Sequence, residues 1–147
     1  MAPHAETTVI KNFEDLNNFC KQIVNKLKGQ RRVLLLLSGD LGVGKTKTVE
    51  VLLGELGVTQ VSSPTYAIHH NYEVKGMNID HFDLYRIESE SDLESTGFWD
   101  VFMQPEAWVI VEWADRLQQT KFSPQWVRVE INIELTEQGR IFKTQFC

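Results

Sequence analysis

The sequence has no apolar run long enough to cross a lipid bilayer. No wholly apolar stretch is longer than residues 33–37, whereas a membrane-spanning helix needs about 20 such residues. The first residues, M-A-P-H-A-E, also lack the basic segment and following apolar stretch of a secretory signal. We therefore expect a cytoplasmic protein without membrane contacts.

Runs of basic residues and metal-binding cysteine patterns are missing too. The chain has 15 basic and 20 acidic residues, a formal net charge of −5. Free nucleic acid is therefore repelled on average, because phosphate binding needs clustered Lys and Arg. The two cysteines, Cys20 and Cys147, are far apart and have no His at zinc-ligand spacing. These absences argue against binding of free nucleic acid and against a zinc site.

The apolar residues that are present recur at helical spacing in some segments and at strand spacing in others. A helix is predicted between a capping Asn12 and Gly29, and the wholly apolar residues 33–37 are typical of a central strand. Further helices are predicted over residues 45–56 and within 88–97, and further strands over residues 66–74, 77–84, 108–111, 127–135 and 141–146. This order predicts a single α/β domain over residues 1–147, with a sheet that mixes parallel and antiparallel strands.

Residues 39–46 read G-D-L-G-V-G-K-T and match the phosphate-binding pattern G-x-x-x-x-G-K-[ST] in full. The glycines allow backbone turns that point successive N–H groups at an anion, and the following helix adds the positive end of its dipole. Lys45 can reach the β- and γ-phosphates, and the Thr46 hydroxyl can ligate Mg²⁺. The predicted nucleotide-binding residues of this loop are Gly39, Asp40, Leu41, Gly42, Val43, Gly44, Lys45 and Thr46.

Acidic side chains follow two of the predicted strands. A phosphate loop needs a second carboxylate near Mg²⁺, usually at the end of an adjacent buried strand, and Glu112 directly follows residues 108–111. Glu112 could hold the magnesium shell or polarise the attacking water; the alternative is a carboxylate that caps a strand end in solvent. In the segment D-H-F-D-L-Y-R, alternation places His81 and Asp83 on one strand face and Asp80 on the other. The alternative there is a solvated edge strand.

The segment S-S-P-T-Y at residues 62–66 follows the second helix and could fold back over the γ-phosphate. Its hydroxyls could coordinate metal or sense the third phosphate, and the alternative is an ordinary Ser/Pro turn. His69 and His70 are adjacent, so they point to opposite faces of a strand, and we interpret them as structural or surface residues.

Four motifs together resemble the TsaE family, also called YjeE. They are the loop G-D-L-G-V-G-K-T, residues 61–66 (V-S-S-P-T-Y), residues 81–86 (H-F-D-L-Y-R) and residues 111–113 (V-E-W). Their order and spacing match that family over most of the chain, from the first helix to the final strands. The resemblance implies a P-loop NTPase-like fold of three layers with a mixed parallel and antiparallel central sheet.

The resemblance also implies an ATPase that uses ATP and Mg²⁺ and is required to form N6-threonylcarbamoyladenosine in tRNAs that read ANN codons. Members of the family act with TsaB and TsaD, of which TsaD carries the transferase chemistry, and ATP hydrolysis resets the TsaB–TsaD pair between turnovers. Contact with tRNA is expected only indirectly, through that complex. We expect the isolated chain to hydrolyse ATP weakly and the partners to stimulate it.

Roles carry over from the family position by position. Lys45 contacts phosphate, and Thr46, Glu112 and Asp83 are the implied metal ligands. Thr65 belongs to a switch-like loop and joins Glu112 and Asp83 among the implied catalytic residues. Whether Glu112 or Asp83 is the base stays open.

Beside the loop, Trp113 matches an aromatic residue that lies near the nucleotide in the family. The family commonly has a second Thr directly after G-K-T, whereas this sequence has Lys47 before Thr48; we include Thr48 among the predicted nucleotide-binding residues. A basic residue common one turn later is Glu50 here. These departures affect local charge and leave the phosphate contacts intact.

Other classes of protein share such a loop. A small-molecule kinase is the alternative function, but kinases usually hold the acceptor and the phosphoryl group with several Arg residues. The arginines that follow the loop are scattered along the chain: Arg86, Arg116, Arg128 and Arg140. A GTPase is disfavoured because no N-K-x-D guanine-reading motif follows the loop. A module that binds nucleotide without hydrolysing it is disfavoured by the intact Lys45, Thr46, Asp83 and Glu112.

Overall fold

The computed structural model of the chain describes residues 3–40, 42–61, 68–117 and 120–147. The described residues form strands β1 (His4–Ile10), β2 (Arg32–Gly39), β3 (His69–Val74), β4 (Met77–Asp83), β5 (Ala107–Glu112), β6 (Val127–Thr136) and β7 (Gly139–Phe146). They also form helices α1 (Phe13–Lys26), α2 (Lys45–Glu55) and α3 (Glu90–Ser95), and 3₁₀ turns Phe98–Met103 and Ala114–Leu117. Within these ranges, every helix is too short or too polar to pass through a membrane.

All these strands belong to one sheet, in the order β1-β7-β6-β2-β5-β4-β3. Strands β6, β2, β5 and β4 run parallel, whereas β3 pairs antiparallel with β4 and β7 pairs antiparallel with β6 and β1. The predicted mixed sheet is therefore confirmed. The register places Leu37 and Asp83 beside Glu112. The carboxyl ends of β2, β4 and β5 thus meet at one edge, where open α/β sheets bind their ligands.

Both faces of the sheet are covered, which confirms the predicted three layers. On one face, α1 and α2 pack onto the sheet through core residues such as Ile23 and Leu53. On the other face, the 3₁₀ turn Phe98–Met103 packs onto β4, where the rings of Phe82 and Phe98 lie 5.0 Å apart. Because both layers exclude water, every residue of β5 is buried, including Glu112 at its end; the apolar sequence of residues 107–111 predicts the burial of the others.

Helix α1 begins where the sequence predicts and packs beneath α2. The Asn12 side chain accepts a hydrogen bond from the Asp15 N–H at 2.8 Å and so caps the helix. On its buried face, Cys20 Sγ lies 3.9 Å from the Thr48 carbonyl oxygen of α2. Burial raises the pKa of the Cys20 thiol to about 12, so this cysteine is a small core residue rather than a reactive one.

Two strands differ from the prediction. Strand β1 is not predicted, because only Ile10 among its residues is buried; it pairs with β7 along its whole length. Strand β4 lies inside the sheet between β5 and β3. The interpretation of this segment as a solvated edge strand is therefore wrong, and Asp80 and His81 are only 2% and 4% exposed. Strand β3 begins at His69, and residues 66 and 67 of its predicted range lie outside the described residues.

Candidate nucleotide-binding site

The phosphate loop joins β2 to α2 and contains three glycines with positive φ. Gly39, Gly42 and Gly44 have φ angles of 142°, 81° and 106°, which residues with a side chain rarely adopt. At Gly39 a Cβ atom would lie 2.5 Å from the carbonyl oxygen of Ile133. Only glycine therefore allows the loop to pass this close to β6. Leu41 lies outside the described residues.

Helix α2 starts at the end of this loop with no side-chain cap. Gly44 is its N-cap residue, so no side chain accepts hydrogen bonds from the first N–H groups of the helix. The first turn also contains no acidic residue. Free N–H groups at the positive end of a helix dipole form an anion-binding position. The backbone therefore favours a negatively charged ligand at this point.

The Lys45 side chain folds back over the loop. Its Nζ atom donates hydrogen bonds to the Gly39 and Asp40 carbonyl oxygens at 2.5 and 2.8 Å. The same atom lies 3.9 Å from the centre of the Trp113 ring, within the range of a cation–π contact. Burial lowers the pKa of Lys45, and nearby carboxylates, Glu112 above all, oppose that shift. Lys45 thus supplies positive charge beside the start of α2.

Thr46, Glu112 and His81 form a chain of hydrogen bonds across the strand ends. The Thr46 hydroxyl donates to Glu112 Oε1 at 2.7 Å, and His81 Nε2 lies 2.6 Å from Glu112 Oε2. Glu112 and His81 are almost fully buried. The Glu112 carboxylate is thus held from both sides, with Oε1 toward the first turn of α2. Strand alternation predicts His81 on the same face as Asp83 but predicts no role for it, and no other feature of the sequence indicates its contact with Glu112.

Asp83 ends β4 directly beside Glu112 in the sheet. Its Oδ1 accepts a hydrogen bond from the Tyr85 N–H at 3.0 Å. Burial raises the pKa of Asp83 above the ordinary value, and the Glu112 charge acts in the same direction. The structure therefore brings together two of the predicted carboxylates at one sheet edge, next to Thr46.

Trp113 follows Glu112 in a left-handed backbone conformation, with φ of 58°. This conformation is uncommon for a residue with a bulky side chain and clusters at functional sites. The Trp113 ring lies between the Lys45 ammonium and the Tyr85 ring, whose centre is 4.9 Å away. Trp113 thus forms a wall of the candidate site.

Besides Leu41, two of the predicted site residues are not placed with these groups. Thr48 is fully buried, and its hydroxyl donates to the Gly44 carbonyl oxygen at 2.8 Å inside α2. The structure therefore separates the Thr48 hydroxyl from the Thr46 and Glu112 pair. Thr65 lies outside the described residues.

Arg140 adds a contact that sequence reasoning missed. Its Nε donates to the Val43 carbonyl oxygen at 2.7 Å and lies 3.4 Å from the position that a Cβ atom would take at Gly44. Arg140 belongs to β7, 97 residues from the loop, so no local pattern reveals the contact. The final hairpin of the sheet thus braces the phosphate loop from behind.

The donor groups fit a magnesium ion bound together with phosphate. Among the described residues, no group of three or more His, Cys, Asp or Glu side chains could form a metal cage. Mg²⁺ in nucleotide sites takes one or two carboxylates and fills its shell with phosphate oxygens and water. Glu112 offers one carboxylate oxygen, and the Thr46 hydroxyl offers a second protein oxygen beside it. The depression of about 200 Å³ that they line with Lys45 and Trp113 is smaller than the roughly 300–1,000 Å³ of pockets that enclose a whole small molecule. It therefore suits the phosphate end of a nucleotide.

Curated relatives of this chain carry one name. Proteins named tRNA threonylcarbamoyladenosine biosynthesis protein TsaE include one from Haemophilus influenzae, which is 36% identical over 98 residues. That alignment covers 66% of this chain and 61% of the relative. The relative from Rickettsia bellii is 28% identical over 137 residues, which covers 90% of this chain and 89% of the relative. In the relative from Borreliella burgdorferi, the aligned segment spans 58% of the length.

The fold also matches a solved structure. The crystal structure of Bacillus subtilis YdiB superposes with a TM-score of 0.72 over 99% of this chain and 88% of that chain, at 20% identity. This likeness supports the P-loop type of fold that the sequence predicts.

The family model described as threonylcarbamoyl adenosine biosynthesis protein TsaE matches residues 10–142. That range includes the phosphate loop, both strand-end carboxylates and the Arg140 brace. The chain belongs to the TsaE family.

Proposed function

We propose that the chain is an ATPase that binds ATP with Mg²⁺ and serves the formation of N6-threonylcarbamoyladenosine in tRNA. The observation that carries this proposal is the 2.7 Å contact between the Thr46 hydroxyl and Glu112. It brings a phosphate-loop hydroxyl and a buried strand-end carboxylate together at the start of α2. This pairing is what hydrolytic P-loop sites use beside the terminal phosphates.

The phosphate groups would bind to the N–H groups of the loop and of the first turn of α2. Lys45 would leave its contacts with the Gly39 and Asp40 carbonyl oxygens and donate to the β- and γ-phosphates instead. Trp113 would stay over the Lys45 side chain and limit access of water from that side. These contacts bind and orient the triphosphate without any covalent step on the protein.

Thr46 and Glu112 would hold the Mg²⁺, with Asp83 close by. When bound, the ion would supply positive charge that offsets the negative charge developing on the phosphate oxygens. His81 would keep the Glu112 carboxylate in its observed orientation through the bond to Oε2. Either Glu112 or Asp83 would accept a hydrogen bond from the attacking water and orient it toward the γ-phosphate.

These contacts would make hydrolysis by the isolated chain slow. Lys45 donates to the Gly39 and Asp40 carbonyl oxygens of the loop itself, so productive binding would first have to break those bonds. A partner that favours the arrangement in which Lys45 has left these carbonyl oxygens would accelerate hydrolysis. We propose that this partner is the TsaB–TsaD pair, that hydrolysis resets the pair between turnovers in the cytoplasm, and that the chain meets tRNA only through it.

The alternative function, a small-molecule kinase, has less support. Arg116 donates to the Tyr85 carbonyl oxygen at 3.2 Å, and Arg140 donates to that of Val43. Both guanidinium groups are thus engaged with backbone instead of converging on an acceptor position beside the loop. A kinase would need such convergence to hold its acceptor and the transferring phosphoryl group.

The test measures phosphate release from ATP in the presence of Mg²⁺, first by the chain alone and then with purified TsaB–TsaD. We expect slow release by the chain alone and an increase of about tenfold or more with the pair. Lys45→Ala should abolish tight nucleotide binding, because it removes the cation that reaches the phosphates. Lys143→Ala is the matched control, since Lys143 is exposed on β7, is ion-paired with Glu134 and does not line the depression beside Lys45. Absence of any binding or stimulation by the pair would overturn the accessory role.

A further inference from the structure

A groove of about 650 Å³ lies beside the candidate nucleotide site, between residues 84–90 and the 3₁₀ turn Ala114–Leu117. We call it the acidic groove and define it by six of its lining residues: Leu84, Ile87, Glu88, Glu90, Trp99 and Asp115. The proposed hydrolysis does not use it.

The acidic groove has an apolar floor and an exposed aromatic side. Leu84 and Ile87 are buried beneath it, whereas Trp99 is 38% exposed. The Trp99 ring packs edge-on against Phe98, with centres 5.0 Å apart. A packed, partly exposed tryptophan beside a concave apolar surface is typical of the anchor points of protein interfaces.

The rim of the groove carries net negative charge. Three carboxylates with exposed side chains line it, Glu88, Glu90 and Asp115, together with one guanidinium group, that of Arg116. Arg116 Nη2 donates to the Tyr85 carbonyl oxygen at 3.2 Å. The groove therefore attracts cationic groups and repels phosphate groups.

The groove adjoins both candidate hydrolytic carboxylates through the backbone. Leu84 directly follows Asp83, and its N–H donates to the Glu112 carbonyl oxygen at 3.1 Å. On the opposite side, the 3₁₀ turn that carries Asp115 follows Glu112 after a single residue. A ligand in the groove thus contacts the segments that position Asp83 and Glu112. Binding there can change hydrolysis to the extent that it favours one arrangement of those segments.

We propose that the acidic groove is the docking site for the protein partner of the candidate ATPase. Its occupant is a partner segment that carries Lys or Arg on either side of a bulky apolar side chain. The apolar side chain packs on Trp99 and on the accessible edge of Ile87, and the cations pair with Glu88 and Glu90. Charge complementarity selects this occupant over nucleic acid, whose phosphates would meet the same carboxylates. The inference rests on the proposed function, which supplies TsaB–TsaD as the partner to test.

The experiment measures the affinity of the full chain for TsaB–TsaD, together with basal ATP hydrolysis. The double variant Glu88→Lys and Glu90→Lys should weaken binding about tenfold or more and lower its dependence on salt. Trp99→Ala should weaken binding similarly without changing charge. The matched control is Glu73→Lys with Glu130→Lys, which makes the same charge change at exposed positions of β3 and β6. Basal hydrolysis should stay within about twofold of wild type for all of these variants when it is measured below their melting temperatures. The melting temperature should stay within about 3 °C of wild type for the charge variants, whereas Trp99→Ala also loses packing against Phe98.

The outcomes separate this inference from the proposed function. If the wild-type chain neither binds nor responds to the pair, the proposed accessory role fails. If the wild-type chain is stimulated while the groove variants bind as tightly as it does, the docking site is wrong and the accessory role stands. Equal losses in the groove and control variants would also overturn the docking site, because they would reflect overall charge. If the double variant Glu88→Lys and Glu90→Lys bound tRNA more weakly than the wild-type chain does, the groove would be a tRNA site. That result would overturn the choice of a protein occupant.

Discussion

His81 and Glu112 are joined by a hydrogen bond of 2.6 Å between Nε2 and Oε2, and both side chains are almost fully buried. The other oxygen of the same carboxylate accepts the Thr46 hydroxyl. A carboxylate held at one oxygen by a histidine keeps its second oxygen in a fixed direction, as partners of metal ligands do. His81 is in this sense a positioning residue for Glu112.

The first prediction concerns His81. His81→Leu removes the N–H that holds Glu112, so we expect kcat of ATP hydrolysis to fall about 10- to 100-fold. Affinity for ADP without Mg²⁺ should change less than about twofold, because the loop and Lys45 are untouched. His81→Gln keeps a donor near the Nε2 position and should restore most of kcat. Steady-state kinetics at several Mg²⁺ concentrations measure kcat, and melting temperatures check that each variant is folded. Equal activity of His81→Leu and His81→Gln would contradict the positioning role of His81.

The second prediction concerns Glu112 itself. Glu112→Ala should keep nucleotide binding, because the N–H groups of the loop and Lys45 remain. Turnover should fall about 100-fold or more, since the variant loses a metal-side carboxylate. Glu106→Ala is the control, because Glu106 lies just before the opposite end of β5 and pairs with Arg31. Binding titrations and single-turnover hydrolysis separate the two effects, and undiminished hydrolysis by Glu112→Ala would sink the assignment.

The third prediction concerns the brace at Arg140. Arg140→Met removes the hydrogen bond to the Val43 carbonyl oxygen while it keeps much of the side-chain volume. We expect nucleotide affinity to fall about 3- to 10-fold, because a less ordered loop loses more conformational freedom on binding. Lys143→Met is the control on the same strand, since Lys143 is exposed and pairs with Glu134. Calorimetric titration with ADP measures both, and equal affinities would show that the loop holds its shape without Arg140.

The fourth prediction is a pH dependence of stability. The Lys26 ammonium, which hydrogen-bonds Glu6 and so joins β1 to α1, lowers the pKa of that carboxyl. A lowered pKa contributes stability that is present above the ordinary pKa of the carboxyl and is lost as pH falls through the folded-state value. The pair is partly exposed, so the contribution is at most about 1 kcal/mol. Glu6→Gln should therefore lower the melting temperature by about 1–3 °C at pH 7.

That difference should shrink in acid and vanish once Glu6 is protonated in the folded wild type. Glu73→Gln, at an exposed position of β3, is the control. Thermal unfolding from pH 7 to pH 3 follows both variants. A difference between wild type and Glu6→Gln that persists at pH 3 would mean that packing, and not charge, explains it.

The sequence predicts best those features that depend on local pattern. Residues 33–37 of β2 and 107–111 of β5 are all apolar because both faces of the central sheet are covered, so their burial is visible in the residues themselves. Glu112 was predicted to lie near the phosphate loop because it directly follows a buried strand, and Asp83 because of the resemblance to the TsaE family. The parallel strands β4 and β5 bring both carboxylates to the same sheet edge. The Thr46 hydroxyl contacts Glu112 there.

Features that depend on distant pairing were not predictable in the same way. Strand β1 is polar over most of its length and is held by its ladder with β7, so no apolar alternation reveals it. The burial of His81 depends on β3, which pairs with β4 and makes it an interior strand. Arg140 reaches the loop only because the final hairpin returns beside β2 through β6. The surroundings of β1, His81 and Arg140 follow from the order of strands in the sheet, and a local sequence pattern does not contain that order.

Because Cys20 is buried, its rate of alkylation reports on the opening of the layer formed by α1 and α2. Its thiol lies between α1 and α2 with a pKa raised to about 12, and the thiolate is the form that alkylating reagents attack. Cys20 is therefore protected while the two helices stay packed, whereas the exposed Cys147 reacts at once. The rate of Cys20 alkylation relative to Cys147 measures how often the layer beneath the phosphate loop opens. A nucleotide that stabilises α2 should slow that rate as its concentration rises above Kd.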